Sequence, residues 1–214
     1  NRHCLLIDGV DQPFLFDPAA PSKRQRVNWL DPKHIMPAVG SMRGSIPKDA
    51  NMVEKEAAEV IKYLKEYGAD KKKVGMDLVD IPLLRALEAG GIEIVDGQAP
   101  MVDARIIKCD EEIQLLKSSA AMVDAAYYDV AKAVRPGRLE NEIVGLVNKK
   151  LFEWGAESVE FVNSISGSRG NPPPHTFSNH MFRPGAQIYF DHGHTYKGYN
   201  TCYSRTFSSR LPEM

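Results

Sequence analysis

Most of the side chains that could do chemistry lie in one run, PPPHTFSNHMFRPGAQIYFDHGHTYKGYNTCYSRTF, from Pro172 to Phe207. Asp191 closes an apolar strand, Gln187–Asp191. A carboxylate at the buried end of a strand needs a cation, a hydrogen-bond donor or a proton. Asp-His-Gly also reads as a turn, and from these residues alone that plainer reading is preferred. His192 and His194 flank Gly193 and would share one strand face, opposite Asp191. His-x-His is a possible ligand pair, but with no third ligand beside it the expectation is surface or satisfied histidines. His175 follows Asn171-Pro172-Pro173-Pro174, a stiff loop that fixes its approach. A rigidly presented imidazole is a candidate acid or base. His180 lies on the same loop with less support. Cys202 stands just before Arg205-Thr206. A nucleophilic role would require an adjacent base or a lowered pKa, which the sequence does not supply, so a packed thiol is expected.

The elements that must position these residues follow from periodicity. His3–Ile7 and Pro13–Phe16 read as strands around a Gly9 turn, and a proline-punctuated stretch follows. Its basic run, Lys23 to Arg26, reads as a solvated loop or crossing segment. Helical spacing covers Ala50–Tyr67 and Ile81–Glu88, with short strands at Val74–Met76 and Ile92–Val95. Asp103–Lys108 bridges into a long helix. Asp110 is its expected N-cap, and its stripe runs from Ile113 through Leu116, Val123, Tyr127 and Val130. A second helix covers Glu140–Trp154. Strands are expected at Ser158–Ser166, Gln187–Asp191, Thr195–Tyr199 and Tyr203–Phe207.

The chain has 214 residues, a formal net charge of −1, 43% apolar and 26% charged residues. That profile fits ordinary globular domains. It argues against nucleic acid, which calls for a basic surface. No apolar run approaches the roughly 20 residues that span a bilayer, so no membrane association is expected. Asn1-Arg2-His3 leads into a short strand without a signal peptide, and a chain starting there reads as beginning inside a longer one. Cys4, Cys109 and Cys202 are sparse and unpaired in spacing, which suits reduced thiols and a cytoplasmic location. Cys4 and Cys109 are expected to be core or semi-buried.

One ordered set of motifs adds a resemblance: Arg135-Pro136-Gly137, Glu140 and Glu142, Ser166-Gly167, Pro174-His175, Arg183-Pro184-Gly185, Asp191, Gly198-Tyr199 and Arg205-Thr206. Their order and spacing resemble the creatinase and aminopeptidase P group, the pita-bread enzymes of the M24 type. The resemblance implies an α/β N-terminal domain over residues 1–105, its start missing, followed by an α+β pita-bread domain over 106–214. Only the first half of the second domain would be present. In metal-dependent members two Asp, one His and two Glu hold two metals. Asp191 falls at the first position and Cys202 at the second, where an Asp is usual. The Pro-His histidine, here His175, handles protons and contacts substrate in that group.

Cys202 is a departure with physical weight. A bridging Asp offers two oxygens to two ions about 3.5–4 Å apart, whereas Cys offers one softer sulfur. The expectation is therefore a creatinase-like hydrolase of a small C–N compound with little or no metal dependence and no favoured cofactor. His175 would be the acid/base, and Asp191 and His180 would contact the substrate. The alternatives are a metal-dependent Xaa-Pro aminopeptidase, a lyase on a sulfonium propionate, and a non-catalytic scaffold. In the first, Asp191 and Cys202 would help hold one or two divalent ions (Mn, Zn, Co or Fe). Expected partners are a small-molecule or short-peptide substrate, a second copy in a homodimer, and the missing C-terminal half as another chain, perhaps after a nick near Leu211-Pro212. Strand Tyr203–Phe207 would otherwise be an unpaired edge.

Overall fold

The computed structural model describes residues 2–38, 47, 50–78 and 80–208; Leu211-Pro212 lies outside them. The chain divides into two compact units, Asn1–Ile107 and Lys108–Met214. In the first, β1 (His3–Leu5), β2 (Phe14–Asp17) and β3 (Ile35–Pro37) form a sheet in that order. Strands β1 and β2 are antiparallel, and β2 and β3 are parallel, with helix α1 (Ala20–Arg26) in the connection. Helix α2 (Met52–Glu66), strand β4 (Val74–Met76), helix α3 (Ile81–Ala89) and strand β5 (Ile94–Asp96) follow, and β4 pairs parallel with β5. Phe14, Phe16, Met36, Val60, Leu64 and Leu83 meet in the core of this unit.

Two expectations change here. The basic run is not a loop: Lys23, Arg24 and Arg26 occupy the last turn of α1, where the negative end of the helix dipole favours cations. Arg24 Nε also donates to the Ile35 carbonyl at 2.8 Å. Residues expected to bridge toward the long helix belong to a further helix, α4 (Gln98–Ile106). None of its residues is buried, so it carries no apolar stripe to announce it.

The second unit sets two helices, α5 (Asp110–Ala133) and α6 (Glu140–Glu153), against an antiparallel sheet of β6 (Ser158–Ser166), β7 (Gln187–Tyr196) and β8 (Tyr199–Ser208). Helix α5 begins with Cys109, not Asp110, as its N-cap. The Glu112 carboxylate closes the turn by accepting the Cys109 N–H at 2.7 Å. Val123, Ala126, Tyr127 and Val130 of α5 pack with Ile143, Val147 and Leu151 of α6 and with Ile188 and Phe190 of β7. All three cysteines are free and exposed, Cys4 and Cys109 rather than semi-buried and Cys202 rather than packed. Cys109 sits at the helix cap, and Cys4 lies on the outward side of β1, whose neighbours His3 and Leu5 are half-buried.

The three short strands expected after residue 187 are two long ones. Asp191-His192-Gly193 continues β7, and the chain reverses at Lys197-Gly198, where φ is 51° and 80°. Two consecutive left-handed residues make the tight hairpin turn that matches strand twist. The strand persists because alternate side chains from Ile188 to His194 all bury on one face. Strand β7 is central; among the described residues β6 and β8 each have one strand neighbour.

Candidate active site

Alternation along β7 separates two sets of side chains. Ile188, Phe190, His192 and His194 face the helices and are buried. Asp191 and Gly193 face the other way, with Asn163 of β6 opposite Asp191 and Cys202 of β8 opposite Gly193. Cys202 is therefore the diagonal neighbour of Asp191, and its Sγ lies 3.1 Å from Asp191 Oδ1. The thiol donates and the carboxylate accepts. Burial, then this hydrogen bond and the adjacent negative charge, push the Cys202 pKa up to about 11. At neutral pH the group is a protonated donor, neither an activated nucleophile nor a ready thiolate ligand. Asn163 is buried beside Asp191, and its Oδ1 has no partner.

Phe161 covers Gly193 from β6. A Cβ at residue 193 would stand 2.6 Å from the Phe161 ring, so any larger residue there must displace that ring. The ring is 42% exposed and forms an aromatic wall next to the Asp191–Cys202 pair.

His192 and His194 are core residues on the helix side, each with one ring nitrogen hydrogen-bonded and the other without a partner. His192 Nδ1 lies 2.9 Å from the Tyr127 hydroxyl. His194 Nε2 lies 3.2 Å from Ser119 Oγ, which also bonds Thr201 Oγ1 at 2.6 Å. Burial holds both imidazoles below their ordinary pKa, that of His192 at about 4. They share no face with Asp191.

His175 and His180 sit on the loop that leaves β6 and returns to the start of α6. His175 is exposed and has φ 49°, a left-handed conformation that a non-glycine residue adopts only when its surroundings impose it. The ends of this loop meet a buried carboxylate. Glu140, the first residue of α6, is fully buried. Its Oε1 accepts the Ser166 N–H at 2.8 Å and the Ser166 hydroxyl at 3.0 Å. Its Oε2 accepts the Ser178 N–H at 2.9 Å, the Ser178 hydroxyl at 2.8 Å and Arg169 Nη1. Main-chain bonds add to the clamp: the Glu140 N–H donates to the His180 carbonyl at 3.0 Å, and the Asn141 N–H to the Ser178 carbonyl at 3.1 Å. Beside this loop a recess of about 240 Å³ is lined by Ser166, Gly167, Ser168, His180, Arg183 and Ala186.

Two of the sequence candidates, Asp191 and Cys202, thus meet in direct contact, and two others, His175 and His180, share one anchored loop. Among the described residues no hydrogen bond joins the two pairs. Sequence reasoning missed the anchoring carboxylate, the Ser119 and Tyr127 partners of the buried histidines, and Asn163. Glu140 left one signal, an acidic residue opening a helix just after Arg-Pro-Gly, but that pattern usually means only a favourable dipole contact.

An antiparallel sheet with one helix-covered face and one polar face bearing Asp191 defines, with the αβ unit before it, a protein of the pita-bread class. Residues 114–213 match the family described as "Metallopeptidase family M24". That stretch is thus similar to the M24 metallopeptidases. The "Probable dipeptidase PepE" of Mycobacterium bovis is 31% identical over 110 residues, which are 51% of this chain and 29% of that protein. The solved Xaa-Pro dipeptidase from Bacillus anthracis superposes with a TM-score of 0.72 at 23% identity, covering 95% of this chain and 54% of that one. An X-Pro aminopeptidase from Thermotoga maritima gives a TM-score of 0.71 at 19% identity, covering 92% of this chain and 51% of that one. The chain spans about a third of the curated relative, and it has the pita-bread fold over about half the length of the solved enzymes.

The family implies divalent metal, and the donors present can be tested against that. Asp191 supplies one carboxylate, already accepting from Cys202, and Cys202 supplies a protonated thiol. A pair of hard ions about 3.5–4 Å apart requires bridging oxygens. Among the described residues no cluster of three or more His, Cys, Asp or Glu is arranged to hold an ion. At residues 191 and 202 alone, one carboxylate and one protonated thiol supply no second bridging carboxylate for such a pair. Among the described residues no helix is long and apolar enough to cross a membrane.

Proposed function

We propose that this protein is a peptidase-type hydrolase of a small C–N substrate, in the first place a Xaa-Pro dipeptide, with weak or no metal dependence. His175 is the acid/base: it takes a proton from water as that oxygen bonds to the carbonyl carbon, and delivers it to the leaving nitrogen as the C–N bond breaks. Asp191 orients a cationic or amide group of the substrate, and His180 contacts the substrate from the recess. Asn163 Oδ1, buried and unpartnered beside Asp191, is a second acceptor for a substrate N–H. The Asp191–Cys202 contact carries the reading: a thiol pushed up to about 11 satisfies the carboxylate without a cation. The dipeptidase and aminopeptidase relatives support the substrate class.

The test is a screen of the purified full-length protein against Xaa-Pro dipeptides, creatine-like amidines and sulfonium propionates, before and after chelator dialysis. Cleavage of Xaa-Pro bonds that survives chelation and falls by about 10²–10⁴ in His175→Ala is expected. Turnover that disappears on chelation and returns with manganese overturns the metal-independent reading. Full turnover in His175→Ala overturns the role of His175.

A further inference from the structure

We propose that Glu140 is a positioning residue, whose buried carboxylate locks the loop presenting His175 and His180 into its working conformation. The inference rests on the proposed role of His175 and deepens it. Glu140 joins the two points at which the loop leaves and rejoins the fold: Ser166 at the end of β6 through Oε1, and Ser178 through Oε2. Residues 167–177 are the span between these anchors, and His175 lies inside it.

The donor count explains why the residue is glutamate. A carboxylate has about four lone-pair sites, and five donors from Ser166, Ser178 and Arg169 converge on this one. No site remains for a substrate or an ion, so Glu140 acts through the loop rather than on the reaction. Its charge is balanced by Arg169, which also donates to Ser178 Oγ at 2.7 Å. That same oxygen accepts the His180 N–H at 3.0 Å, carrying the clamp to the second histidine. Glutamine would keep one oxygen and turn the other end into a donor, facing the Ser178 N–H with nothing to accept it. Aspartate is one methylene short of spanning both anchors.

The experiment uses the full-length protein and four variants: Glu140→Gln, Glu140→Asp, Ser178→Ala and, as reference, His175→Ala. Amide hydrogen exchange is followed over residues 166–180 and over the buried segments of α5 and α6. The loop is expected to exchange about tenfold or more faster in the Glu140 variants, with the helices unchanged. With Xaa-Pro dipeptide, kcat should fall about tenfold or more while KM moves less than about threefold. Ser178→Ala should show the same split more weakly, and it decides the matter if the Glu140 variants do not fold. Unchanged loop exchange in a folded variant overturns the proposal. So does faster exchange with wild-type kcat and KM while His175→Ala is inactive, an outcome that leaves the proposed function standing. Full turnover in His175→Ala removes the proposed function, and the positioning role with it, whatever the exchange data show.

Discussion

Acid should unfold this protein through His192 in a measurable, separable way. The Tyr127 phenol has one proton, and it goes to the Tyr203 carbonyl at 2.9 Å. Its 2.9 Å contact with His192 Nδ1 therefore requires that Nδ1 carry hydrogen and donate. The other nitrogen, Nε2, is left as a buried base without a partner, in a ring stacked on Phe190. Burial lowers the pKa from 6.5 to about 4, against a weaker opposing pull from Asp191. The folded pKa lies below the unfolded one, so between pH 6.5 and about 4 the unfolded chain binds more protons. Stability rises with pH across that window and is lost as pH falls through it. At about 1.4 kcal/mol per pH unit the gap is worth about 3 kcal/mol. About 2 kcal/mol of this falls between pH 7 and 4.5. The assay is urea unfolding of wild type and His192→Asn at both pH values. Asparagine keeps an N–H for Tyr127 but cannot take up the proton. His194, whose pKa burial also lowers, is present in both proteins and cancels. The variant should lose about 2 kcal/mol less on acidification. Parallel losses within about 0.5 kcal/mol refute the argument, as does an NMR titration of His192 near its ordinary pKa.

Three further outcomes follow from the same sheet. Tyr127→Phe removes the hydroxyl shared by Tyr203 and His192, leaving the buried His192 N–H unpartnered and the Tyr203 carbonyl without this bond, costing about 1–3 kcal/mol in chemical denaturation; a loss below about 0.5 kcal/mol contradicts the assigned network. Gly193→Ala places a methyl group 2.6 Å from the Phe161 ring and should cost about 1–2 kcal/mol, because that ring is partly exposed and can swing aside; pairing it with Phe161→Leu should restore most of the loss, and no restoration means the clash lies elsewhere. With its pKa pushed up to about 11, Cys202 is about one part in a thousand thiolate at pH 8 and should alkylate slowly, faster in Asp191→Asn; equal labelling rates in the two proteins exclude Asp191 as a cause.

Elements with a strong local period were legible in the sequence. The six-turn stripe of α5 and the inward residues of α6 each repeat often enough to set their own structure. What misled was composition without period. Pro and basic residues near Lys23 suggested a loop, yet a short helix forms there. Asp-His-Gly looked like a turn, but the alternation on both sides of it binds the strand together. At the site, the contact between Asp191 and Cys202 depends on hairpin register, which is fixed by the turn at Lys197-Gly198. The role of Glu140 depends on where a distant loop returns, and no local pattern encodes that.

The register also accounts for a cysteine at residue 202. Positions 191 and 202 are diagonal neighbours on one sheet face, close enough for a 3.1 Å contact. Two carboxylates there would repel each other and hold together only around a cation or a shared proton. A thiol changes the sign of the problem: it is neutral, it donates, and the charge of Asp191 strengthens its grip on its own proton. The same backbone that would call for metal with Asp at both positions is self-satisfied with Asp and Cys. A single side chain therefore changes what this pair of positions asks of its surroundings. The polar face of β7 can change its chemistry without disturbing the core, because every residue that packs against the helices is one step out of phase with it.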